Sequence, residues 1–145
     1  MVTILVAAGV TALCGGLRAL LRDRPAGRQG GWVRFRPLWN RGAAFGLPVE
    51  KRTLTALSAG TLAVLWSWRR RSPVGVGLVL GGGVSNLWER LRHGRVFDYL
   101  QFPKAPGALR RYVYNLADLA ILAGAVTLLL RKGRRRPPGK QGGIR

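Results

Sequence analysis

Four stretches of the chain are almost purely apolar, and the segments between them are polar and basic. Residues 1–17 (MVTILVAAGVTALCGGL), 53–68 (TLTALSAGTLAVLWSW) and 72–88 (SPVGVGLVLGGGVSNLW) carry no charged side chain. The fourth, residues 112–130, carries one, Asp118. A helix at the surface of a soluble protein keeps a polar face, and these stretches have almost none. A bilayer core of about 30 Å takes roughly 17–25 residues per helix. The second and third stretches are short for that, but their flanking Trp and Arg residues can sit at the interface or snorkel to it. The pattern predicts an all-α fold, an integral membrane bundle of four transmembrane helices. A soluble bundle of four buried helices is the alternative.

The first stretch has no Lys or Arg ahead of its apolar run, unlike a cleaved signal peptide. Around Cys14, Leu13 stands where a lipoprotein acylation site would carry a small residue. The stretch therefore reads as a retained helix with Cys14 as a small apolar member. A single cysteine leaves no intramolecular disulfide.

The connections set the organisation. Residues 22–52 and 89–111 are two long loops, and RRRSP at 69–73 is a tight basic turn. With four spans, the long loops share one membrane face, and the turn shares the other with both termini. The chain divides into a four-span domain, 1–130, and a basic tail, 131–145 (RKGRRRPPGKQGGIR), whose composition predicts disorder.

The net charge of +20 points to nucleic acid or to an anionic membrane surface. The tail has no aromatic residue for base stacking, so no nucleic-acid partner is expected. Membrane lipids remain as partners. Orientation is divided by the positive-inside rule. The long loops hold eight and six Lys or Arg, against three in the turn and seven in the tail, but the turn and tail charges abut the spans.

Polar residues gather near the span ends on the long-loop side. Asn115 and Asp118 are three apart and share a helix face, as do Asn86 and Arg90, four apart. Asp98 (in GRVFDYL) and Asn40 (in WNRGAAFGLP) come from the two long loops. Ionisable groups near spans are costly and commonly functional. With one His, one Cys and no HExxH pair, zinc and thiol chemistry are poorly supported. Two carboxylates sharing one proton can activate water, one as base and the other as acid toward a carbonyl oxygen. Each residue alone has a plainer reading. Asp118 can be a helix-end aspartate paired with Arg90 or Arg111, the asparagines turn or cap residues, His93 a surface residue, and the five tryptophans interfacial anchors. The triplet GGG at 81–83 reads as a site of close helix packing.

Four blocks, in order, resemble the signal peptidase II family, the prolipoprotein signal peptidases. NRGAAFG at 40–46 matches the family's Asn-x-Gly-Ala-Ala-Phe block. GGGVSNLWERL at 81–91, GRVFDYL at 94–100 and YNLADLAI at 114–121 resemble its other three. The resemblance implies a four-helix membrane aspartic protease with Asp98 and Asp118 as the catalytic pair. It implies that Asn40, Asn86, Arg90 and Asn115 position substrate and orient the carboxylates. The implied substrate is a lipoprotein precursor cut just before its diacylglyceryl-modified Cys, with no metal or organic cofactor. The family's topology puts the termini in the cytoplasm and the site at the outer face of the bacterial inner membrane, and a monomer is expected. Three departures accompany the match, the mildest being Tyr114 in place of the family's Phe. Glu89 stands where the family has Asp, and the family's Asp-x-x-Thr/Ser-Lys pattern is missing from residues 1–24, where Arg18 and Asp23 are the nearest polar residues. An inactive or substrate-altered paralogue, serving as a membrane binding or scaffold protein, is the competing expectation.

Overall fold

The computed structural model describes residues 1–27, 31–41 and 51–131. Within them lie four helices, α1 (Val2–Leu21), α2 (Lys51–Ser67), α3 (Pro73–His93) and α4 (Leu116–Arg131). They coincide with the four apolar stretches, shifted at the ends. The later part of the NRGAAFG block and the tail beyond Arg131 lie outside the described residues, so the expectation of a disordered tail falls there too.

The central member is α3, which packs against α1, α2 and α4. Its glycines explain how one helix takes three neighbours. Successive helix positions turn by about 100°, so Gly81, Gly82 and Gly83 point three ways. A Cβ on Gly81 would meet Val10 Cβ of α1 at 2.7 Å. One on Gly82 would meet the Ala117 carbonyl oxygen of α4 at 2.5 Å, and one on Gly83 would meet Leu62 Cδ2 of α2 at 2.5 Å. The close packing expected of this triplet is what it provides. Proline at the first position opens α3, and Gly94, in the left-handed region at φ 69°, closes it.

The long loops are not irregular throughout, and the all-α expectation is incomplete. They supply β1 (Arg34–Asn40) and β2 (Val96–Gln101), which β3 (Val113–Tyr114) completes as a three-stranded antiparallel sheet in the order β1-β2-β3. The reason lies in local sequence. VFDYLQ is rich in the β-branched and aromatic residues that suit a pleated surface. The register between β1 and β2 shifts between Phe35 and Leu38, where Pro37 offers no N–H to the ladder. Two other boundaries moved. The second loop's first five residues complete α3, and Val113–Tyr114, assigned to the fourth span, form β3.

Large apolar side chains are widely exposed on the helices, among them Leu5, Leu13, Leu57, Val64, Leu122 and Leu129. Exposed large apolar side chains on three helices are what contact with lipid or protein would cover. Among the described residues, α1 is long and apolar enough to cross a membrane, and Leu116–Leu130 forms a shorter apolar helix.

Candidate active site

The start of α4 answers why an aspartate interrupts an apolar run. Asn115 is the residue before the helix and Asp118 lies in its first turn. The Asp118 backbone N–H donates to Asn115 Oδ1 at 3.0 Å, and the Asn115 backbone N–H donates to Asp118 Oδ2 at 3.0 Å. This is a reciprocal capping box, which satisfies the N–H groups a helix start leaves open. The positive end of the helix dipole also faces the carboxylate. Asp118 is therefore at the helix mouth rather than in its apolar body.

The cap orients the asparagine amide as well. With Oδ1 accepting from Asp118, Nδ2 points outward and donates to Asp98 Oδ1 at 2.8 Å and to Asn86 Oδ1 at 3.2 Å. Asn86 Nδ2, from α3, donates to Asp118 Oδ1 at 2.9 Å. One buried amide thus spans the two aspartates, and a second braces it.

Asp98 is delivered by β2. Strand alternation puts Val96 and Asp98 on one face, opposite Asn40 and Leu38 of β1. The diagonal neighbour Asn40 donates from Nδ2 to Asp98 Oδ2 at 3.1 Å. Asp98 is 3% exposed. Burial, and next the Asp118 charge, push its carboxyl from 3.8 up to about 6, against the opposing hydrogen bonds of Asn40 and Asn115 and the Arg90 charge. The opposite face of β2 is aromatic. Trp39, Phe97 and Tyr99 stack with centroids 5.2 and 5.7 Å apart, and the Tyr99 hydroxyl accepts the Leu116 N–H at 3.2 Å, tying the strand to the α4 start.

All six residues singled out from the sequence line one cavity of about 460 Å³. Its polar end holds the aspartates, asparagines and Arg90, and its remaining wall is apolar, with Leu119, Ile121, Leu122 and Ala125 of α4. Neither ion pair considered for Asp118, with Arg90 or Arg111, forms, and its hydrogen-bond partners are Asn86 and Asn115.

Three residues carry more than the sequence indicated. Tyr114 lines the cavity with a buried hydroxyl that has no hydrogen-bond partner among the described residues. Arg18 and Glu89 form a buried ion pair from α1 to α3 at 3.3 Å. Glu89 Oε2 also accepts the Phe97 N–H at 2.9 Å, beside Asp98. That the longer carboxylate of Glu89 can pair with an arginine was legible from the sequence, but separation in the chain hid that the arginine is Arg18.

The sequence model of the signal peptidase (SPase) II family matches residues 7–132. A lipoprotein signal peptidase of Nitrobacter hamburgensis is 37% identical over 114 residues, covering 70% of each chain. One from Pelotomaculum thermopropionicum is 43% identical over 99 residues, 63% of this chain and 61% of that one. One from Chlorobaculum parvum is 38% identical over 125 residues, 75% and 78% of the two chains. The first two of these relatives are matched over 70% and 61% of their own length. Two solved structures, described as bacterial membrane enzymes, share the fold. Their TM-scores are 0.81 at 15% identity, covering 99% and 94% of the chains, and 0.77 at 17% identity, covering 91% and 92%. The chain belongs to the signal peptidase II family, membrane hydrolases of lipoprotein processing.

Proposed function

We propose that the protein is an aspartic endopeptidase that removes the signal peptide of diacylglyceryl-modified prolipoproteins, cutting just before the lipidated Cys. The observation that carries this reading is the Asn115 amide, hydrogen-bonded to Asp98 and capping Asp118 at the mouth of a cavity with an apolar wall. Asp98, raised to about 6, is suited to hold the shared proton, and Asp118 to accept one from water. Water adds to the scissile carbonyl carbon as Asp118 takes its proton and Asp98 protonates the carbonyl oxygen. Collapse of the tetrahedral intermediate breaks the C–N bond, the proton held by Asp118 passes to the leaving amine, and one hydroxyl of the intermediate returns its proton to Asp98 as the carbonyl re-forms. Asn40, Asn86 and Asn115 orient the carboxylates, and Arg90 and the apolar wall engage the substrate.

The same reading makes α1 to α4 four transmembrane helices of a monomer in the bacterial inner membrane. The sheet and the aspartates lie at the outer face, with both termini cytoplasmic. The exposed leucines and valines on the helices support lipid contact. The test is cleavage of a diacylglyceryl-modified precursor by the purified protein, beside Asp98→Asn and Asp118→Asn. A product with the wild type that is lost in both variants supports the dyad. No product from a well-folded wild type, with an active control enzyme, overturns it and favours a substrate-altered or inactive relative.

A further inference from the structure

A second cavity, of about 240 Å³, opens on the other side of α3 from the aspartates, between the C-terminal ends of α1 and α3 and the end of β1. Its floor is the Arg18–Glu89 pair, so the one carboxylate in its wall is already neutralised. The exposed Arg22 and Arg92 line its rim, and Trp39 and Trp88 line it as well. Among the described residues, Arg22 has one ion pair, with Asp23, 3.9 Å away with side chains 54% and 85% exposed, a pair worth little in solvent. Arg92 makes no ion pair among the described residues. Arg95 lies 4.4 Å over Trp39, adding positive charge nearby.

The exposed side of α3 leading to this cavity changes character by turns. Val84, Trp88 and Arg92 recur every four residues and share a face. Val84 is 44% and Trp88 59% exposed. Apolar, then aromatic, then cationic is complementary to a lipid's order of acyl chain, glycerol and anionic phosphate. On α1, Gly15 and Ala19 leave room below Arg22.

We propose that this cavity binds the phosphodiester headgroup of an anionic phospholipid, with Arg22 and Arg92 holding the phosphate, Trp88 at the glycerol level and the acyl chains along Val84. The inference rests on the proposed membrane boundary at this end of the helices. It gives the excess arginine of the long-loop side a specific ligand.

The experiment is native mass spectrometry of the detergent-purified protein with phosphatidylglycerol or phosphatidylcholine of identical chains. One phosphatidylglycerol should be retained in preference to phosphatidylcholine. Arg22→Gln/Arg92→Gln should weaken that retention roughly 30-fold, and Arg92→Gln alone roughly 5-fold, from the usual attraction of a basic side chain to an anionic surface. Arg70→Gln/Arg71→Gln, at the opposite end of the bundle, should leave it unchanged. Equal retention of the two lipids overturns the proposal, as does equal loss in both double variants. So does displacement of the lipid by low-millimolar inorganic phosphate, which would mark a free-phosphate site. Both rim side chains are exposed, so their replacement leaves the core intact. Because the readout is lipid retention, prolipoprotein cleavage without lipid preference defeats this inference alone, and lipid preference without cleavage defeats only the peptidase reading.

Discussion

Arg18 Nε lies 3.3 Å from Glu89 Oε2, and both side chains are buried. The contact is ionic rather than an aligned hydrogen bond, since Arg18 Nε has no hydrogen-bond acceptor, whereas an Arg18 terminal nitrogen donates to Ser85 Oγ at 3.3 Å. The pair fastens the first helix to the third. Through the Phe97 N–H on the same Glu89 oxygen, it also fixes the start of β2, one residue before Asp98. A long carboxylate at 89 and an arginine at 18 thus form a mutually satisfied pair in a chain that lacks the family's usual first-span pattern.

Removing one partner of a buried ion pair strands the other. Glu89→Ala should lower stability by about 3–5 kcal/mol. Glu89→Gln keeps an acceptor for Phe97 and should cost less. Thermal unfolding in detergent ranks the two; an Ala variant as stable as Gln would show that the Phe97 hydrogen bond contributes nothing.

Asp98→Asn and Asp118→Asn should each lower kcat by roughly 100- to 10,000-fold, the usual scale for losing a general acid or base. Membrane insertion should be unchanged. Single-turnover cleavage of a lipid-modified precursor measures this, and near-normal turnover by Asp118→Asn would exclude the shared-proton mechanism.

The Asp98 carboxyl, raised from 3.8 to about 6, sets the sign of a pH effect. Its neutral form is favoured by burial, so it keeps its proton through mildly acidic pH and loses it as pH rises through about 6. If that proton is delivered to the scissile carbonyl, activity declines along the alkaline limb. The Asn40 hydrogen bond favours the ionised form, so Asn40→Ala should move the limb to higher pH. The pH dependence of kcat/KM reads this as a property of the coupled pair. A limb that stays put or moves to lower pH would remove Asn40 from control of the proton.

Gly82→Ala should destabilise the bundle by about 1–3 kcal/mol, the usual cost of overpacking. Its Cβ would lie 2.5 Å from the Ala117 carbonyl, next to Asp118, so activity should fall with stability. Gly9→Ala is the matched control, because nothing lies within 4 Å of its Cβ. Equal melting temperatures for the two variants would refute the close approach of α3 and α4.

Local pattern was enough for the four helices, because an apolar run needs no partner to be recognised. The candidate residues were visible for a related reason. Asn115 and Asp118, three apart at a helix start, already imply a shared face and a cap. β1 and β2 were hidden inside segments read as loops and β3 inside the fourth apolar stretch, because a strand proves itself only through a partner. VFDYLQ becomes β2 by pairing with RFRPLWN, which lies some 60 residues earlier.

The sequence by itself determined which segments are helical, which polar groups gather at one end of them, and that the triplet at 81–83 is a packing surface. Only the tertiary structure decided that one asparagine amide reaches both aspartates, that Arg18 meets Glu89, and that α3 is the axis of the bundle. Periodicity along a chain assigns residues to faces. Which face meets which depends on contacts between residues far apart in sequence, and those exist only once the glycines of α3 let the helices close to packing distance.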